Sequence, residues 1–277
     1  MIFVMNKIFC FIALLSLYVL GQMLIIPPIF AEDRKRPTAG EFSLMPKIGT
    51  DFTIGGDFVK SASESATLTF RPGEIITADI SADSQDFDDV YENPFKIGVN
   101  LNLGLTDNTE AFLGLKYMRA NAENFDALTI DVAGTFLGAA INASEVLTGK
   151  FDDYREFGFG VGARHFLNRY DAFTPYVSLE GEFTHNNEIE LDLTHALGTI
   201  SGIEFYEDAW KASVGFGCGF LFDVTDTISA GVETGFNYSF GMSDDDTHLN
   251  GTGSFENTND DGDRMSVPLM FSVRVKF

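Results

Sequence analysis

Apolar and polar residues alternate with a period of two along much of this chain, which is the pattern of strands with two different faces. In the segment from Phe95 to Thr106, Phe95, Ile97, Val99, Leu101, Leu103 and Leu105 share one parity. Lys96, Gly98, Asn100, Asn102, Gly104 and Thr106 share the other. The last segment sets Val267, Leu269, Phe271, Val273, Val275 and Phe277 against Ser266, Pro268, Met270, Ser272, Arg274 and Lys276. The same alternation runs through Ile228 to Phe240, and through Trp210 to Phe222 with Lys211, Ser213, Gly215, Gly217 and Gly219 on the polar parity.

Four more segments complete the set. Ile48, Thr50, Phe52, Ile54 and Phe58 predict a first strand at 46–60, and Ala111, Leu113, Leu115 and Tyr117 a third at 109–119. Phe157, Phe159, Val161 and Ala163 predict a fourth, and Val177, Leu179, Gly181 and Phe183 a fifth. Eight is an even number, as closed up-and-down barrels of one chain require.

The connections alternate as well. Short turns follow strands two, four and six, at Asp107-Asn108, 168–173 and 223–227; long stretches follow strands one, three, five and seven, at 61–94, 120–153, 185–208 and 241–264. Strict alternation puts all long loops at one end of the sheet and both chain termini at the other. The pattern therefore predicts an all-β, eight-stranded antiparallel up-and-down transmembrane β-barrel, its apolar parity turned to lipid. A soluble sandwich would show the same alternation with the apolar face buried, so the loop asymmetry and the two chain ends decide between them. Phe58, Phe95, Tyr117, Phe183, Trp210, Tyr238 and Phe240 are expected near the loop end. Phe166, Tyr170, Phe173, Phe220, Phe222 and Phe277 are expected near the turn end, the two levels aromatic rings favour in a bilayer.

Residues 1–31 read differently. Lys7, an apolar run from Ile8 to Leu20 that resumes at Met23 to Ile26, and Pro27-Pro28 give the order of a secretory signal peptide, with cleavage after Ala31. The alternative is an uncleaved anchor, which the two prolines disfavour. Residues 32–45 then form an N-terminal periplasmic segment and 46–277 the barrel. Cys10 falls in the leader, so Cys218 is left without an internal disulfide partner. A mean hydropathy of +0.05 with 28 Phe is too apolar for a disordered chain. The formal charge of −23 argues against a nucleic-acid partner, which would be repelled.

Val273, Val275 and Phe277 end an alternating strand on a terminal phenylalanine, Thr174-Pro175-Tyr176-Val177 follows the turn after Phe166, and Trp210 to Tyr238 forms a hairpin across Asp223-Val224-Thr225-Asp226-Thr227. Over residues 46–277 the chain thereby resembles the small outer-membrane β-barrel superfamily of the OmpA and OmpW type. The resemblance implies a Gram-negative outer membrane and insertion by the barrel-assembly machinery, with Phe271, Val273, Val275 and Phe277 as the assembly signal.

An eight-stranded barrel is just wide enough to be filled by side chains. The inward parity collects Lys47, Asp51, Asp57, Lys96, Lys116, Glu156, Arg164, Glu180, Glu182, Lys211, Glu233, Arg274 and Lys276. Buried charges must pair, so Lys96, Glu156, Arg164, Glu180, Glu182, Lys211, Glu233 and Arg274 are expected to form a lumen charge network acting as a plug. The competing reading is a narrow channel for small or hydrophobic solutes. Glycines 158, 160, 162, 215, 217 and 219 would leave it room, and Leu128 to Ile141 would gate it or form a hairpin above the membrane.

The long stretches 61–94, 119–154, 185–208 and 241–264 hold 27 of the 41 acids and only Arg71, Arg119, Lys150 and Arg264 as basic residues. The expected result is a solvated surface facing lipopolysaccharide, with divalent cations as candidate partners. Asn257, Asn259, Asp261 and Gly262 imitate the start of a calcium loop, but its twelfth position is Pro268 and not Glu, so no metal site is assigned. His165, His185, His195 and His248 form no recognisable nucleophile pair, and Leu167 stands two residues after His165 where a lipid-modifying barrel would need a serine. The sequence therefore predicts a non-enzymatic, structural or surface-exposed outer-membrane protein without a cofactor.

Overall fold

The computed structural model describes residues 38–71, 74–167, 173–244, 249, 252–260 and 262–277. The leader at 1–31, together with Tyr170, His248 and Asp261, lies outside the described residues. In chain order the first barrel strand is β1 (Phe42–Gly55), followed above the rim by β2 (Asp57–Val59), β3 (Ala62–Arg71), β4 (Glu74–Ala82), β5 (Gln85–Asp86) and a one-turn helix α1 (Phe87–Val90). The chain re-enters as β6 (Phe95–Thr106) and β7 (Thr109–Ala120), leaves as the hairpin β8 (Asn124–Phe136) and β9 (Ala139–Phe151), and returns as β10 (Tyr154–Phe166) and β11 (Phe173–Asn186). A third excursion, β12 (Ile189–His195) and β13 (Gly198–Tyr206), precedes β14 (Ala209–Asp223) and β15 (Ile228–Ser239). A short 3-10 turn at Gly253–Asn257 lies in the last connection before β16 (Arg264–Lys276).

The strand order β1-β16-β15-β14-β11-β10-β7-β6 closes into a barrel in which every neighbour is antiparallel. This is the eight-stranded up-and-down architecture that the alternation predicts. Closure of β16 on β1, from Ser43↔Lys276 to Gly55↔Met265, leaves the barrel no free edge. The exposed parity is apolar around the wall, including Ile48, Leu101, Leu115, Val161, Leu179, Phe216 and Phe271. β1 differs from its predicted span. It starts at Phe42, before Pro46, and ends at Gly55, because Gly55 and Gly56 take φ of 153° and 122° and turn the chain away from the wall. A side chain at 56 would also strike the carbonyl of Asp263 at 2.4 Å.

The long connections are more than solvated loops. β13-β12-β9-β8-β4-β3 form a six-stranded sheet, and β2 pairs with β5, so the connections fold into a cap over one mouth of the barrel. Leu128 to Ile141 belongs to a hairpin, with β8 and β9 paired from Asn124↔Lys150 to Phe136↔Ala139. The cap has its own core of Phe58, Phe87, Val90, Tyr91, Phe125, Phe151, Ile189, Leu191, Phe205 and Tyr206. Phe58, expected in the aromatic belt, is the centre of this core and is 1 % exposed. The strand that would carry it outward ends at Gly55. Phe166, at the turn end, faces inward and is buried.

Candidate functional site

Inward parity brings the charged side chains together in layers along the lumen. At the turn end, Met45, Phe166, Tyr176 and Leu221 form an apolar layer. Packed against it, Glu110 holds two guanidiniums, Arg164 through one oxygen and Arg274 through the other at 2.6 Å. Arg274 also donates to Ser43 Oγ at 2.9 Å. The Arg164 guanidinium lies 4.7 Å from the Tyr176 ring centre and 5.2 Å from that of Phe112. Glu233 joins this layer to the next, accepting from Tyr176 Oη at 2.8 Å and from Lys47 Nζ at 3.1 Å.

Toward the capped mouth, Lys116 contacts Glu182 and lies 3.2 Å from Glu156; Lys211 lies 3.2 Å from the other Glu156 oxygen and donates to Tyr154 Oη at 2.5 Å. Tyr154 in turn donates to Glu156 at 2.6 Å. Asp51 faces Lys96 and Arg264, each at 3.7 Å. The Arg264 guanidinium sits 5.1 Å from the Phe87 ring centre, where the cap core begins. The charged lumen therefore has apolar side chains packed among its ion pairs at the turn end and meets the aromatic cap core at the other.

Of the expected network, Glu156, Arg164, Glu182, Lys211 and Arg274 are buried in these layers and Lys96 and Glu233 join them through ion pairs. Glu180 lines a mid-barrel cavity of about 70 Å³ with Lys47, Lys96, Lys116 and Glu233, space for a few waters. Lys276 pairs with Glu41 at 3.4 Å near the turn end. Asp57 departs from the expectation: it sits exposed on β2, beyond the bend at Gly55-Gly56, with its amide donating to Asp263 at 3.1 Å.

Two central residues are absent from the sequence expectation. Glu110 is the single carboxylate between two buried arginines, and its parity with Lys116 across β7 was the available signal. Arg264 falls at the end of a long connection in the sequence, yet it opens β16 and points inward.

The lumen glycines do not keep a passage open. A Cβ on Gly162 would meet Phe112 Cζ at 2.3 Å, on Gly219 Tyr176 Cζ at 2.6 Å, on Gly217 Ser178 Oγ at 2.4 Å, and on Gly158 Thr184 Cγ2 at 2.5 Å. At these four positions a neighbour takes the space of the missing side chain, as a filled interior demands, while Gly160, Gly215 and Gly217 also line the mid-barrel cavity.

The remaining candidates have mundane surroundings. His165 Nδ1 lies 3.0 Å from Thr109 Oγ1 on the outer surface, His185 is stacked on Phe157 at 5.2 Å, and His195 Nδ1 accepts the amide of Leu197. Asn259 is fully buried and donates to the Phe205 carbonyl at 2.8 Å, so it is structural, and Pro268 lies within β16 opposite Asp51. In the cap, burial raises the Asp86 carboxyl above 3.8, and the carboxylates of Asp88, Asp89, Asp57 and Asp263 add to the shift. Asp88 is raised for the same first reason, against its own backbone hydrogen bond. Asp153 is lowered, chiefly by its hydrogen bond from Arg119. Phe271, Val273, Val275 and Phe277 all stand exposed on the outer face of β16.

No protein-family model and no curated protein matches the chain. Among solved structures, Ail, the attachment invasion locus protein of Yersinia pestis, in complex with the heparin analogue sucrose octasulfate, is 11 % identical with a TM-score of 0.37, over 87 % of this chain and all of that one. Neisserial surface protein A is 12 % identical with a TM-score of 0.37, over 85 % and 97 % of the two chains. The outer membrane protein OprG from Pseudomonas aeruginosa is 13 % identical with a TM-score of 0.36, over 88 % and 99 %. The strand order itself carries the fold: a closed, eight-stranded antiparallel barrel, the architecture of the small outer-membrane barrels the sequence resembles.

Proposed function

We propose that this chain is an integral outer-membrane protein whose barrel is a sealed anchor and whose cap is its working surface. The observation that carries the reading is the inversion of polarity. The wall is apolar outside, and its ionic interior is closed by Phe166, Leu221 and Tyr176 at one end and by Phe87 and Tyr91 at the other. Such a wall is stable only in hydrocarbon, and such a lumen conducts nothing larger than the waters of its mid-barrel cavity. The leader is removed on export, the assembly machinery reads the strand ending at Phe277, and the acidic cap faces lipopolysaccharide and its divalent counterions.

The role is structural or surface-exposed, and non-enzymatic. The channel alternative would require the Arg164-Glu110-Arg274 layer to open, and that layer is held by charge-assisted bonds. The test has two parts. Unboiled protein extracted in detergent is expected to migrate differently from boiled protein, because a closed barrel resists unfolding at room temperature. Planar bilayers containing it are expected to show conductance near zero. Steady single-channel steps would overturn the sealed-anchor reading, and identical mobility of the two samples would overturn the barrel in the membrane.

A further inference from the structure

The hairpin of β8 and β9 carries the cap well beyond the barrel rim. β8 follows β7 and β9 runs into β10 across short links, at 121–123 and 152–153, so the hairpin prolongs the wall. Each strand has 13 residues, and at about 3.3 Å per residue its turn stands roughly 40 Å from the rim. That turn has an unusual residue in it. Leu137 has φ of 50° and Gly138 of 74°, closing the two-residue connection between Phe136 and Ala139. Such turns normally take Asn, Asp or Gly at both positions, because a Cβ is strained at positive φ. Among the described residues Leu137 is the one non-glycine with positive φ, and it is 70 % exposed, so neither turn geometry nor core packing accounts for a leucine there. Strain retained at an exposed position points to a use outside the fold.

The surroundings say what the leucine meets. In a chain of formal charge −23, Val132 to Ser144 contains no charged residue. The neighbouring hairpin of β3 and β4 reaches almost the same level, with Ile76 paired to Gly134. It adds the exposed Leu68 and Ile75, and at its end Arg71 and Glu74 are opposite each other and cancel. The acids begin lower, where Asp79 faces Asp131, five residues before Phe136 along β8 and roughly 17 Å below it. The far end of the cap is therefore a neutral, apolar tip above an acidic band. Its four large side chains, Leu68, Ile75, Phe136 and Leu137, are too few for a stable protein interface, which engages about 20 residues a side. A bilayer asks for no complementary pocket. It asks for apolar side chains backed by hydrogen-bonded main chain, and the ladder up to Phe136↔Ala139 provides that backing.

We propose that this tip, with Phe136 and Leu137 leading and Leu68 and Ile75 behind them, inserts into the surface of a second, zwitterionic bilayer, while the acidic band below it disfavours anionic ones. The inference rests on the membrane placement proposed above.

The protein is assembled into nanodiscs and mixed with phosphatidylcholine vesicles, and the fraction that floats with the vesicles on a density gradient is read at rising lipid concentration. The unaltered protein is expected to float. Leu137→Asn suits the positive φ and so keeps the hairpin, yet it should weaken vesicle binding about tenfold or more, the effect of withdrawing one buried leucine. Leu197→Asn should float like the unaltered protein. Leu197 is 93 % exposed, but its turn lies level with Glu145, which accepts the Ala196 amide at 3.3 Å, roughly 20 Å short of the tip. Vesicles containing phosphatidylglycerol should capture less. Undiminished flotation of Leu137→Asn, an equal loss in Leu197→Asn, equal or stronger capture by the anionic vesicles, or no flotation of the unaltered protein would overturn the proposal. Clustering of the nanodiscs without vesicles would also overturn it, since the occupant would then be a second copy. Failure to enter nanodiscs with heat-modifiable mobility would instead sink the membrane placement itself.

Discussion

Glu110 illustrates how much one side chain can hold. It is fully buried and is the contact shared by Arg164 and Arg274, themselves buried. Removing one partner of a buried ionic group strands the others without water. Glu110→Ala is therefore expected to cost about 3 kcal/mol or more, measured as a lower unfolding midpoint in lipid, whereas Glu110→Gln keeps an acceptor and costs less. An unchanged midpoint for Glu110→Ala would mean that the layer is wet and the seal fictitious. In the cap the sign of the electrostatics reverses. Asp88 has a raised folded pKa, so its contribution to stability is present below 3.8 and is lost as pH rises through the folded value. Asp153 has a lowered one, so its contribution is present above 3.8 and is lost as pH falls. Mild acidification from pH 7 should thus tighten the α1 segment while the Arg119–Asp153 contact persists. Asp88→Asn should produce the same tightening at pH 7, by less than about 1 kcal/mol because the group is exposed. Hydrogen exchange of Phe87–Tyr91, corrected for intrinsic rate, reads both effects, and faster exchange in Asp88→Asn would refute them.

At the level of the strand, the sequence was a good guide where period-two alternation acts alone. β6, β14, β15 and β16 have the faces their parity assigns, since a wall between two solvents leaves each side chain only one choice. Glycine was harder to interpret, because an absent side chain does not say what occupies its place. Gly217 shows the difference: it reads as empty lumen, but Ser178 Oγ occupies the volume a Cβ would need, with Glu233 next at 3.6 Å. Gly217→Ala is expected to destabilise the barrel by about 1 kcal/mol or more, and adding Ser178→Ala should restore most of the loss. Independent, additive penalties in that double-mutant cycle would contradict the packing account. The last strand carries a further expectation. Phe277 donates its amide to Phe42 at 3.1 Å and so closes the final rung between β16 and β1. Deleting it should lower the surface yield of folded barrel, because an edge left open in hydrocarbon costs several kcal/mol per unpaired group. A normal yield would remove the assembly role from this end of the chain.

For the whole molecule, the barrel was legible in the sequence and the cap was not. The barrel announces itself by alternation, whereas β3, β4, β8 and β9 are rich in Ser, Thr and Ala, within connections whose acidity reads as solvated loop. Their order comes from tertiary contacts that no local pattern reveals: Phe58, Phe87, Tyr91, Phe151 and Tyr206 reach one core from three separate connections. Phe58 is the hub. Its ring centre lies 5.0 to 5.7 Å from those of Phe151, Tyr206, Tyr91 and Phe87, and its carbonyl accepts the Tyr206 hydroxyl at 2.7 Å. Truncating such a ring typically costs about 3 to 5 kcal/mol. The barrel is held by ladders and lumen ion pairs that do not involve Phe58, so the loss should fall on the cap alone. Phe58→Ala is expected to speed hydrogen exchange across β4, β8, β9 and β12 while β6, β10 and β16 stay protected and the unboiled protein keeps its shifted mobility. The alternative outcome is equally readable. If the barrel strands lost protection together with the cap, the contact of Arg264 with Phe87 at the mouth would be coupling the two into one cooperative unit, and the picture of an anchor bearing a separable working surface would have to be abandoned.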